Sequence, residues 1–145
     1  MSDDNLINLT EPAVLEFLET AASLERRVDR ALAVVGASFS EFRLLKALAG
    51  AGPAGCSRID LAHRVGLTAS AVTRALQPME KTGLVSTTRN QRDARQSLAL
   101  ITDAGVTMLA DARGVLQDVL RSLPINGLGE PELAQFRAGL QNLRR

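Results

Sequence analysis

The chain has 145 residues, with 17 Lys and Arg against 16 Asp and Glu, and is 46% apolar and 23% charged, which suits one folded domain with extensions and argues against disorder. Four Phe and no Trp or Tyr leave no aromatic platform for stacking single-stranded bases. One Cys excludes an intrachain disulfide, one Cys with one His excludes a Cys/His zinc site, and no apolar run approaches the roughly 18 residues of a membrane span.

The start, MSDDNLINLT, is acidic and lacks the basic opening of a secretory signal, so a reducing cytoplasmic setting is expected. Residues 11–35 read as one long helix. Thr10 is placed to cap it and Pro12 suits its first turn. Val14, Leu18, Ala21, Val28, Leu32 and Val35 recur at spacings of three and four, and Gly36 stops the helix. Ser38 and Glu41 have capping-box spacing and open a second helix to about Ala49, with Phe42, Leu45 and Leu48 inward. GAGPAG, at 50–55, is a breaker loop.

Ser57, with Asp60 three residues on, starts a short helix carrying Ile59, Leu61, Ala62 and Val65, which Gly66 ends. Thr68 starts the next, with Val72, Leu76 and Met79 on one face and an end at Gly83; Pro78 inside it is expected to bend or loosen the last turn. Residues 84–88 and 97–101 alternate with period two, Val85 and Thr87 sharing one face and Leu98 and Leu100 another. Between them RNQRDARQ forms the charged tip of a hairpin. Thr102 caps a helix to about Leu123, with Val106, Leu109, Leu116, Val119 and Leu123 as its stripe. Pro124 ends it, and a last helix at 131–143 carries Leu133, Phe136, Leu140 and Leu143.

Charge is uneven along this frame. Residues 58–95 hold seven basic side chains and three acids, while the rest of the chain is net acidic. Local density rather than the total sets the field a polyanion meets. Two short helices joined by Gly66-Leu67 are a helix-turn-helix candidate. Burying Val72, Leu76 and Met79 leaves Ser70, Thr73, Arg74 and Gln77 outward, residue types that read base edges in a major groove. Thr68 and Arg58 lie at the starts of the two helices, where phosphate contacts fall. Arg89, Arg92 and Arg95 repel one another on one loop unless a polyanion neutralises them, and a narrow minor groove attracts such arginines. Asp93, two residues from Arg95, is placed to hold that side chain extended by a salt bridge.

Residues 57–105, SRIDLAHRVGLTASAVTRALQPMEKTGLV followed by RDARQSLALITDAG, resemble the winged-helix core of MarR-family transcription regulators. The triplet Asp93-Ala94-Arg95 before Leu100-Ile101-Thr102, with Gly105 after, is similar to that family's wing signature, and the flanking helices also fit. The resemblance implies a mostly α fold with a small β-hairpin wing. Residues 38–102 would be the DNA-binding winged helix-turn-helix, and 1–36 with 103–145 a helical dimerisation region. It further implies a homodimer on double-stranded DNA of near-palindromic sequence. Ser70, Thr73, Arg74 and Gln77 would lie on the recognition helix and Arg95 would enter the minor groove. A small, often aromatic, ligand would relieve repression. Dimerisation is expected from the residues as well: a first helix of roughly 37 Å outruns the small core, and two copies can cover its stripe.

Two other readings stay open. A winged helix can serve protein assembly, which apolar residues on the recognition face would favour. A small hydrolase would need Ser57, Asp60 and His63 to converge from one short helix that builds no cleft, so no enzyme, cofactor or metal is expected. Cys56 sits where a helix dipole favours thiolate, which makes redox sensing a question. Phe17, Phe39 and Phe42 are expected in the core.

Overall fold

Hydroxyl caps decide where most helices of this chain begin. The computed structural model describes residues 3–144; Met1, Ser2 and Arg145, at the outer ends of the proposed dimerisation region, lie outside the described residues. The helices are α1 (Asp3–Leu32), α2 (Phe39–Ala51), α3 (Arg58–Val65), α4 (Ala69–Lys81), α5 (Asp103–Arg121) and α6 (Glu130–Asn142). The strands are β1 (Cys56–Ser57), β2 (Val85–Arg89) and β3 (Ser97–Ile101). Ser38 accepts the Glu41 N–H at 3.1 Å while its own N–H donates to the Glu41 carboxylate at 2.8 Å, a reciprocal box. Ser57, Thr68 and Thr102 cap α3, α4 and α5 by accepting the N–H of Asp60, Ala71 and Gly105, each at 3.1 Å. Gly66 turns out of α3 with φ 66°, a left-handed conformation that an L side chain resists.

Three features depart from the sequence expectation. Helix α1 begins at Asp3 and runs through Thr10 and Pro12 instead of starting there. Nothing in residues 3–9 breaks a helix, and Pro12 removes a single ladder bond from an exposed helix that otherwise continues. Pro78 likewise leaves α4 helical to Lys81. The wing is the outer part of a three-stranded antiparallel sheet, ordered β1-β3-β2, because Cys56 and Ser57 pair with Ala99 and Leu98. Two residues are too few to show alternation. The pairing is possible because Gly55 precedes them: a Cβ there would lie 2.9 Å from the Ala99 carbonyl oxygen. Across the other edge Val85 pairs with Ile101 and Thr87 with Ala99. Ala99 is the fully buried member of β3, while Leu98 and Leu100 take the opposite face and are only half-buried.

The core lies within residues 32–112. Leu32, Leu44, Leu45, Leu48, Leu61, Val72, Leu76 and Met79 are fully buried, and Phe42, Leu109 and Ala112 join them. Phe39 packs at its edge, but Phe17 is exposed on α1. Two polar ties fix α1 to its neighbours. The Phe39 N–H donates to the Asp29 carboxylate at 2.7 Å, and Arg27 donates to the Ser122 hydroxyl at 2.8 Å. Beyond these ties the flanks are bare: the described side chains of α1 are exposed up to Arg27, and α6 buries none. Among the described residues no helix is long and apolar enough to cross a membrane.

Candidate nucleic-acid interface

Burial of Val72, Leu76 and Met79 fixes the roll of α4. Ser70, Arg74 and Gln77 are therefore exposed on the opposite face, at spacings of four and three. Thr73 is half-buried at the edge of that stripe, and its hydroxyl donates to the Ala69 carbonyl at 3.0 Å. Thr68 is exposed and spends one lone pair on its cap, leaving its proton to donate. Lys81 continues the stripe by a further turn and is also exposed. The sequence reading omitted it, although the same three-and-four spacing from Gln77 marks it.

The wing tip is ordered by short polar side chains. Asn90 accepts the Arg92 N–H and Asp93 accepts the Arg95 N–H, each at 3.0 Å. The Asn90 N–H donates to the Gln96 carbonyl, and the Gln96 N–H to that of Asp93, both at 2.9 Å. The expected Asp93–Arg95 salt bridge is thereby replaced. The carboxylate engages the Arg95 backbone in an Asx turn, which a two-residue separation favours over the longer reach to a guanidinium. Arg89, at the end of β2, is exposed, as are Arg92 and Arg95. Among the described residues the ion pairs are Arg58–Glu80 and Arg121–Asp118, so none of the three wing arginines has a carboxylate partner.

Arg58 is placed differently from the other candidates. It is half-buried, bonds the Ser97 hydroxyl of β3 and lies 3.4 Å from the Glu80 carboxylate of α4. The same carboxylate oxygen accepts the Thr87 hydroxyl of β2. Arg58 and Glu80 thus tie α3, the end of α4 and both wing strands together. Separations of 22 and 39 residues gave no sequence signal for this tie.

The singletons are simpler. Ser57 donates to the Asp60 carboxylate at 2.9 Å and His63 bonds neither, so the three do not form a relay. Cys56 is buried in β1, and burial raises its thiol pKa above the ordinary value. Nearby Asp60 pushes the same way and Arg64 opposes it less than burial does. The expected thiolate is therefore disfavoured. Native protein at pH 8 should react with a thiol reagent far more slowly than urea-unfolded protein; equal rates would show that Cys56 is accessible. Since the folded pKa is the higher, this group's contribution to stability is complete below the unfolded value, about 8.5, and falls as pH rises above it.

Residues 35–96 match the MarR family model. No curated protein matches the chain. Among solved structures, a mutant of MarR from E. coli complexed with operator DNA is 20% identical, with 98% of this chain and 99% of that one covered at a TM-score of 0.82. The S. aureus MepR–DNA complex is 18% identical, covering 90% and 94% at 0.80. The transcriptional regulator BldR from Sulfolobus solfataricus is 24% identical, covering 99% and 97% at 0.83. At these identities the likeness is one of fold, and it extends over both flanking helices.

Proposed function

We propose that the protein is a homodimeric, sequence-specific transcription regulator of the MarR family that binds double-stranded DNA in the cytoplasm; the match of residues 35–96 to that family's model and the winged-helix fold shared with solved regulators support the reading. The observation that carries the reading is the pairing of two exposed surfaces on one small core. One is the polar stripe Ser70, Arg74 and Gln77; the other is a wing whose Arg89, Arg92 and Arg95 have no carboxylate partner among the described residues. The stripe has the donors and acceptors to read base edges, Thr73 at its rim offers bases a hydroxyl acceptor and a methyl, and Thr68 and Lys81 lie beside it for phosphates. The wing arginines suit the negative potential of a minor groove. Arg58 serves this surface from behind, through its tie. In this division residues 38–102 bind DNA and residues 1–36 with 103–145 form the dimer. Repression relieved by a small aromatic ligand completes the proposal.

Polar side chains on the recognition face disfavour the rival reading, a winged helix used for protein assembly. The direct test is a gel shift on the DNA upstream of the protein's own gene across a salt series, repeated with aromatic acids. Affinity should fall steeply with salt, because phosphate contacts release counterions. Arg74→Ala should cost about 1–3 kcal/mol and relax specificity at one base position if the side chain is bidentate. Arg95→Ala should weaken binding with little change in base preference. Equal affinity of wild type for operator and scrambled duplex would end the readout assignment.

A further inference from the structure

A second cationic surface gathers one face of α2, the end of α3 and Arg144. Two adjoining hollows, of about 360 and 450 Å³, share Arg43, Arg64, Val65 and Arg144 as walls. Lys46, Ala47 and Gly50 of α2 complete the first; His63 and Gly66 complete the second. Positions 43, 46, 47 and 50 recur at helical spacing, so α2 presents them on one face. Among the described residues no acidic side chain lines either hollow. Asp60, one turn before Arg64 on α3, makes no ion pair with it among the described residues.

Four cations gathered around one concavity repel one another, and an anion is what turns that repulsion into binding. Arg43 is also held in place from behind: its guanidinium donates to the Val65 carbonyl and lies 5.7 Å from the Phe39 ring centre. A planar donor fixed in this way suits carboxylate or phosphate oxygens. Of the remaining walls Ala47, Gly50, Val65 and Gly66 are small or aliphatic, and the one ring among the described lining residues is the His63 imidazole of the second hollow. With four cations and little apolar wall, the cleft matches a compact, highly charged ligand better than a flat aromatic one. The volume is at the small end of ligand sites and is too small to admit a duplex.

We propose that this cleft binds a small anion carrying two or more negative charges on phosphate or carboxylate groups, held by Arg43, Lys46, Arg64 and Arg144. The proposal goes beyond the DNA-binding reading and does not depend on it. Isothermal titration calorimetry of the full chain with sodium pyrophosphate and with citrate, against sodium chloride of matched ionic strength, tests it. One saturable event per chain is expected for at least one probe. Lys46→Gln with Arg64→Gln should weaken it about tenfold or more, as the loss of two charge-assisted contacts implies. Both side chains are exposed, so the double variant should melt like wild type. Arg113→Gln, exposed on α5 and outside the cleft, should bind unchanged. No saturable heat with either probe, or undiminished binding by the double variant, overturns the proposal. So does a third result: probes that do not bind, with a double variant whose duplex affinity and salt slope both drop. That would make the cleft a DNA-backbone contact. Failure of the chain to bind any duplex leaves the titration intact and counts only against the regulator reading.

Discussion

Gly105→Ala should destabilise the protein by about 3 kcal/mol, the upper end of the usual overpacking cost. A Cβ at this position would lie 2.2 Å from the Leu84 carbonyl oxygen and 2.7 Å from Cγ1 of Ile101. The carbonyl is not free to retreat, because it accepts the Thr102 N–H at 3.1 Å. Thr102 in turn caps α5 and donates from its hydroxyl to the Gly83 carbonyl. The start of α5, the end of β3 and the entry to β2 therefore meet around a glycine that has no room for a methyl. Chemical denaturation would show a lower midpoint at unchanged slope. Gly50→Ala is the control: a Cβ there meets nothing within 4 Å, and helix propensity should yield a gain of about 0.5–1 kcal/mol. If both variants lose stability alike, the packing account of Gly105 is wrong.

Leu18→Glu and Phe136→Glu should halve the mass in solution and lower operator affinity by about a hundredfold or more, since each half of a two-fold site then binds alone. Both side chains are already exposed in the single chain, at 56% and 49%. Placing a carboxylate there costs an isolated subunit almost nothing, so any large effect must come from a partner that had covered the residue. The apolar side chains concerned run along α1 and α6, from Ile7, Leu15 and Leu18 to Leu133, Phe136 and Leu143, a larger set than an isolated soluble chain normally leaves open. Sedimentation at micromolar concentration reads the outcome. A wild type that sediments as one chain removes the dimer from the proposal, and variants that keep the wild-type mass move the contact elsewhere.

The parts of this fold that were legible in the sequence are those governed by neighbours a turn away. Ser38, Ser57, Thr68 and Thr102 cap because a hydroxyl three residues before an N–H can reach it. Val72, Leu76 and Met79 are buried because their spacing leaves one face apolar. What escaped depends on distance along the chain. The strand at Cys56 exists only because β3 returns beside it, and the Glu80 carboxylate meets Arg58 and Thr87 only after the wing has folded. The start of α1 departs from expectation for a different reason. Thr10 and Pro12 are a sound signal for a helix start, but a proline missing one bond does not end a helix that continues on both sides. The Asp93 turn was within reach, since an acceptor two residues before an N–H favours the backbone.

The Arg58–Glu80 tie bears on attempts to re-target such a protein. Transplanting the outward residues of α4 from a regulator with a different sequence preference would carry over the letters it reads. It would not carry over the tie that helps hold the hairpin against the helix, because that tie runs through a carboxylate near the end of the same helix. A chimera that keeps Glu80, with Arg58 and Thr87 to donate to it and Ser97 to accept from Arg58, should accept a new stripe and still seat its hairpin. One that replaces the helix wholesale should read poorly even where every base-contacting side chain has been copied.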